Sequence, residues 1–152
     1  MSASWNMVGS DLVLENSLIE SALAPIMTSL ILCKTNSAFY NPLQSSHLQS
    51  LRTWEFGVPL LINLSTDVTF TVSGTSFITN GITLQKGWNF ITYTGEAEVT
   101  PDQLFGSQLS KLVYIKTFDE WYNPYNALSS LQRIIPGEAY FIKLNDEATL
   151  SW

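Results

Sequence analysis

The apolar residues of this chain fall in short runs separated by Gly, Pro, Asn and Asp, a pattern that predicts short strands rather than long helices. Leu30–Lys34 and Leu112–Lys116 are the plainest such runs, and further strands are expected at residues 5–10, 58–64, 68–72, 88–94, 138–144 and 148–152. Asp67 and the pair Asn145-Asp146 are placed to turn the later runs back on themselves as hairpins. Two short helices interrupt the strands. Ser17 and Thr100 have the chemistry of N-caps, and Glu20 and Gln103, three residues on, would close capping boxes. Pro101 suits the first helical position, where a missing N–H costs nothing. Asn41-Pro42 and Asn123-Pro124 mark turns, and Gly57 and Gly137 read as turn residues with backbone angles that other residues avoid.

These elements recur in order, which the chain aligned with itself makes visible. Trp5-Asn6 matches Trp88-Asn89, and Leu30–Lys34 matches Leu112–Lys116. Phe39-Tyr40-Asn41-Pro42 matches Trp121-Tyr122-Asn123-Pro124, and Leu48-Gln49-Ser50-Leu51 matches Leu128-Ser129-Ser130-Leu131. Gly57 with the run to Leu64 matches Gly137 with the run to Leu144. The expectation is a mainly β fold, β-rich with one short helix per repeat, in two tandem pseudo-symmetric copies packed together. Copy 1 is residues 4–72 and copy 2 is residues 87–152. Residues 73–86 form a structured linker, in which Asn80-Gly81 between β-branched residues predicts a hairpin. A repeat of about 70 residues is marginal alone, so the copies are expected to bury apolar surface against each other.

Charged residues are few. Only 13% of the 152 residues are charged, against about 25% in ordinary soluble domains, so the surface relies on Ser, Thr, Asn and Gln. That suits a protein packed against other proteins. Net charge is −6 with seven Lys and Arg and no basic run, which argues against nucleic acid as a partner. No apolar stretch approaches the ~20 residues of a membrane span. Residues 1–9 lack the cationic and apolar regions of a signal peptide.

With these landmarks the chain resembles a repeat of many bacterial surface proteins and some phage structural proteins. Its pattern opens with G-W-N-x-I-S and closes with G-x-G-Y-x-[IV]-K-[LM] and T-L-T. The second half carries it in Gly87-Trp88-Asn89-Phe90-Ile91-Thr92, in Gly137-Glu138-Ala139-Tyr140-Phe141-Ile142-Lys143-Leu144 and in Ala148-Thr149-Leu150. The first half departs from it, with Ser4 for the opening Gly and Val58-Pro59-Leu60 for the Gly-Tyr step. The resemblance implies a non-catalytic module of virion or cell-surface context, and it carries no catalytic or ligand residues to transfer.

Candidate chemistry is sparse. His47 is the single histidine and Cys33 the single cysteine, so neither zinc nor a nucleophile–base pair has an evident set of partners, and no cofactor is implied. His47 is expected in an exposed loop and Cys33 as a buried, inert thiol. Glu96 with Glu98, and Asp119 with Glu120, are expected to be solvated loop charges rather than a hydrolytic pair. Asn63-Leu64-Ser65 fits a glycosylation sequon but falls within an expected strand. The aromatics carry the functional expectation. Phe39, Tyr40, Trp121, Tyr122, Tyr125 and Trp152 are candidate contacts for a partner protein or a glycan. The competing reading is that they cover the core of each repeat. Trp5 and Trp88 are expected in the core.

The function expected is a non-enzymatic virion structural protein of a bacteriophage, a capsid accessory, vertex, spike or tail component. It would be assembled in the host cytoplasm and bound to other virion proteins or to itself as a homo-oligomer. The alternative is a bacterial cell-surface adhesion module binding glycan or host protein, placed at the surface if a signal peptide was removed.

Overall fold

The computed structural model describes Met1–Trp152. The chain is β-rich, with twelve short strands and two helices of four and five residues. In order they are β1 (Ser4–Val8), β2 (Leu12–Leu14), α1 (Ile19–Ala22), β3 (Leu30–Lys34), β4 (Phe39–Tyr40), β5 (Leu60–Leu64) and β6 (Gly74–Ser76). There follow β7 (Gly81–Leu84), β8 (Gly87–Thr92), α2 (Pro101–Phe105), β9 (Leu112–Lys116), β10 (Trp121–Tyr122), β11 (Ala139–Leu144) and β12 (Ala148–Ser151). No helix is long and apolar enough to cross a membrane.

Two four-stranded antiparallel sheets dominate. One runs β1-β5-β3-β4 and the other β8-β11-β9-β10. Their registers correspond: Ser4 faces Leu64 and Gly87 faces Leu144 at one end, while Lys34 faces Leu61 and Lys116 faces Phe141 further along. Each sheet carries an irregularity where its third strand begins, at Leu30/Leu32 and opposite Lys143/Leu144. Such a bulge turns two nearby residues to one side. Leu30 with Cys33, and Leu112 with Ile115, are buried accordingly.

The core is in two parts. Twelve buried residues between Ile19 and Leu64 form one cluster, and fourteen between Leu84 and Leu150 form the other. Trp54, 2% exposed, fills the first and donates its indole N–H to the Val58 carbonyl at 2.8 Å. The two parts meet closely where Gly9 lies against the Gly137–Glu138 backbone, leaving no room for a side chain at position 9.

Several expectations need correction. Residues 58–64 and 68–72 do not make a hairpin, because residues 68–72 form no strand. Nor does β12 turn back on β11; it pairs with β7, Ala148 opposite Leu84. Asn80-Gly81 does not close a hairpin within residues 73–86. β6 pairs instead with β2, and β7 leaves for β12. The local turn chemistry is present, but β7 and β12 bury Leu84, Ala148 and Leu150 together in the second core, which a pairing within residues 73–86 would not do. Ser17 is not an N-cap. Its carbonyl accepts from Trp54 N–H at 2.7 Å and Ile19 N–H donates to the Arg52 carbonyl, so Leu18 between them is held extended opposite Thr53 and α1 starts after it without a side-chain cap. Thr100 does cap α2, with both bonds of the box to Gln103 in place and Pro101 first in the helix.

Candidate functional site

Alternation along a strand sends successive side chains to opposite faces. In the second sheet, Ile91, Tyr140, Ile142, Leu144 and Ile115 point into the core, so Trp88, Phe90, Phe141, Lys143, Tyr114, Lys116 and Trp121 share the outer face. There Phe90 stacks on Phe141 with centroids 4.4 Å apart, and Trp88 meets Phe141 edge-on at 6.4 Å. Tyr114 and Trp121 lie parallel at 5.7 Å. Lys116 holds its ammonium 5.6 Å from the Trp88 ring and Lys143 its own at 5.8 Å. Neither lysine has a carboxylate partner, the one ion pair of the molecule being Arg133 with Glu98 at 3.3 Å. Each cation–π contact in such an exposed place stabilises by about 0.5–1 kcal/mol.

The outer face of the first sheet is plainer. Trp5 and Lys34 repeat the contact at 4.9 Å, but Met7, Leu61, Asn63 and Leu32 stand where the second sheet has Phe90, Phe141, Lys143 and Tyr114.

Trp88 and Trp5 are therefore not core residues: they are 52% and 36% exposed. The opening tryptophan of each half lies over a lysine on the outer surface. The aromatics expected to form one contact cluster are divided among different surroundings. Trp121 joins the outer face, and Phe39 lies on the corresponding side of β4 at 38% exposed. Tyr40 is buried, 6% exposed, with its hydroxyl toward Met27 Sδ. Tyr122 packs against the core and donates its hydroxyl to Asp102 Oδ1 at 2.7 Å; burial, then that carboxylate, push its pKa up to about 12. Tyr125 is free on the turn after Pro124, 78% exposed. Trp152 packs edge-on to Tyr93, centroids 5.0 Å apart, within the second half. Sequence reasoning missed Phe90, Tyr114, Lys116, Phe141 and Lys143. The signal was available in β11, where Phe141 and Lys143 share one parity and Tyr140, Ile142 and Leu144 the other.

What this surface offers chemically is flat ring faces beside two unpaired ammonium groups. His47 is exposed in the 3-10 turn Ser46–Leu48. Glu96, Glu98, Asp119 and Glu120 are exposed in loops. Cys33 is fully buried, and burial raises its thiol to about 12, so it stays protonated at neutral pH. No three His, Cys, Asp or Glu side chains converge. No protein-family model matches the chain, and no curated protein or solved structure is detectably similar to it.

Proposed function

We propose that this chain is a non-enzymatic phage structural protein built from two copies of one module, residues 4–72 and 87–152 joined by the linker 73–86. It docks on other virion proteins through the outer face of its second sheet. The shared strand order and register of the two sheets support the two-copy reading. The docking reading rests on a single observation: an outer sheet face on which Trp88 is 52% exposed and Phe141, Tyr114 and Trp121 are partly exposed beside it. Aromatic clusters of this kind are enriched among the residues that anchor protein partners. Mass spectrometry of purified particles tests the assignment. The chain should be present in fixed ratio to the major coat protein, and a Trp88→Ala/Trp121→Ala variant should be lost from particles while remaining folded. Its absence from particles overturns the virion reading.

The parallel Tyr114–Trp121 pair beside Lys116 favours one second reading, an adhesion module for an acidic glycan. Sugar rings stack on aromatic faces, and a carboxylate would find both lysines unpaired. A glycan array with the same variant separates the two.

A further inference from the structure

Asn80-Gly81 is a turn signal that closes no hairpin. It stands where the linker enters β7, and Asn80 is exposed with its side-chain amide bonded to nothing. Trp152 N–H donates to the Asn80 carbonyl at 3.3 Å, so residues 80 and 152 form a bonded pair at the end of the β7–β12 ladder. Bonded and non-bonded pairs alternate along an antiparallel ladder. The next pair, Gly81 with Ser151, is therefore non-bonded, and Gly81 turns its N–H away from β12. No strand lies on the other side of β7, so that N–H is unbonded.

The fold also requires glycine here. Gly81 has a φ of +143°, and a side chain on it would run into the Leu150 carbonyl. The packing of β12 thus keeps a glycine directly after an exposed asparagine. With no Cβ in the way, the Gly81 nitrogen has an open approach to the side-chain carbon before it.

The other asparagines are placed differently. Asn41 and Asn123 precede proline, which has no N–H to react. Asn6, Asn16, Asn89, Asn126 and Asn145 hold their side-chain amides in hydrogen bonds. Ser37, which follows Asn36, donates its N–H to Thr35 Oγ1. Asn63 lies inside β5, an interior strand, before the branched Leu64.

We propose that Asn80 is a self-modification site, converting to aspartate and isoaspartate and so releasing the C-terminal strand with age. The Gly81 nitrogen gives up its proton and bonds to Asn80 Cγ, while the side-chain nitrogen leaves as ammonia and a cyclic imide closes. Water then opens the ring. Attack at Cγ gives aspartate. Attack at the main-chain carbonyl carbon frees that carbon as a carboxylate and routes the chain through the side chain, as isoaspartate. Nothing is oxidised or reduced, and water is the only co-reactant.

Either product adds a negative charge beside β12. Isoaspartate also removes the carbonyl that accepts from Trp152 N–H and lengthens the backbone by one carbon where β7 begins. The pairing of Gly81–Leu84 with Ala148–Ser151 then loosens from the end at which Leu150 and Trp152 pack on the second core.

The test ages the whole chain in neutral buffer, with a portion kept in denaturant, and follows each asparagine by peptide mass mapping. Asn80 should convert before every other asparagine, at close to its rate in denaturant. Amide exchange protection at Leu150 should be lost in proportion to the isoaspartate formed. Asn80→Gln, whose longer side chain disfavours ring closure, should stay unmodified and keep Leu150 protected through the same ageing. Conversion of Asn80 only in denaturant, or later than Asn16 or Asn36, would overturn the site. Conversion that leaves the protection of Leu150 unchanged would overturn the release of the strand.

Discussion

The two four-stranded sheets share a strand order and differ on their outer faces. Inward, the matched positions hold Ile62 and Ile142, Leu64 and Leu144, and Cys33 and Ile115, all 2% exposed or less. Outward, Trp5 with Lys34 and Trp88 with Lys116 keep one contact, while the neighbours change from Met, Leu and Asn to Phe, Tyr and Lys. The inward residues specify the frame because each must fill a closed space. The outward residues are released from that demand, so one sheet can become an aromatic and cationic surface while the other stays plain.

Core truncation should hit both sheets hardest and about equally. Trp54→Ala should cost about 3–5 kcal/mol, and Ile62→Ala and Ile142→Ala about 2–5 kcal/mol each, in denaturant melts. A sheet whose buried isoleucine could be removed for less than about 1 kcal/mol would not have the tight core described.

Alkaline pH should separate the halves next. In the unfolded chain Cys33 loses its proton near 9.0 and Tyr122 near 10.0, whereas in the fold burial holds both to about 12. Above pH 9.0 the unfolded state thus binds fewer protons than the native one, and stability falls as pH rises toward 12. Cys33 alone accounts for roughly 4 kcal/mol across that window. Cys33→Val, which puts an aliphatic group where the second sheet has Ile115, should remove the part of the loss that begins at pH 9.0 and leave the later tyrosine part. An unchanged alkaline profile in that variant would show the thiol to be accessible.

Outer-face substitutions should matter less for stability than for docking. Trp88→Ala should cost only about 1–2 kcal/mol, since half of the ring is already in water. A loss of 3–5 kcal/mol would return Trp88 to the core. The smallest contrast is between the two helix starts. Thr100→Ala should cost about 1 kcal/mol, and Ser17→Ala close to nothing, because only Thr100 caps a helix.

The strands most legible in the sequence were β3 and β9, unbroken apolar runs closed by a lysine, and both fall on the expected residues. The capping box of α2 was legible for a similar reason, since all its chemistry lies within four residues. What could not be read was long-range. Nothing local in Thr149-Leu150-Ser151 says that its partner is Gly81–Leu84 rather than β11. Helix α1 was misplaced because the strand-like bonding of residues 17–19 to residues 52–54 overrides the local N-cap signal. The outer aromatic face was missed because both faces of β8 are apolar, so hydrophobicity alone does not tell inside from outside; the lysines of β9 and β11 do. Of the aromatics singled out from the sequence, Phe39, Trp121 and Tyr125 reach the surface, while Tyr40 is buried, Tyr122 is turned to the core and Trp152 is half-buried against Tyr93.

Residue-resolved amide hydrogen exchange gives the sharpest test that one sheet architecture occurs twice in the chain. The slowest exchange is expected at corresponding positions of β5 and β11, flanked by matching protection in β3 and β9. Slow exchange is expected at Leu150, whose strand is paired, and near-unprotected exchange at Phe70 and Val72, whose amides make no hydrogen bond. Protection confined to one sheet, or equal protection of Phe70 and Leu150, would contradict it.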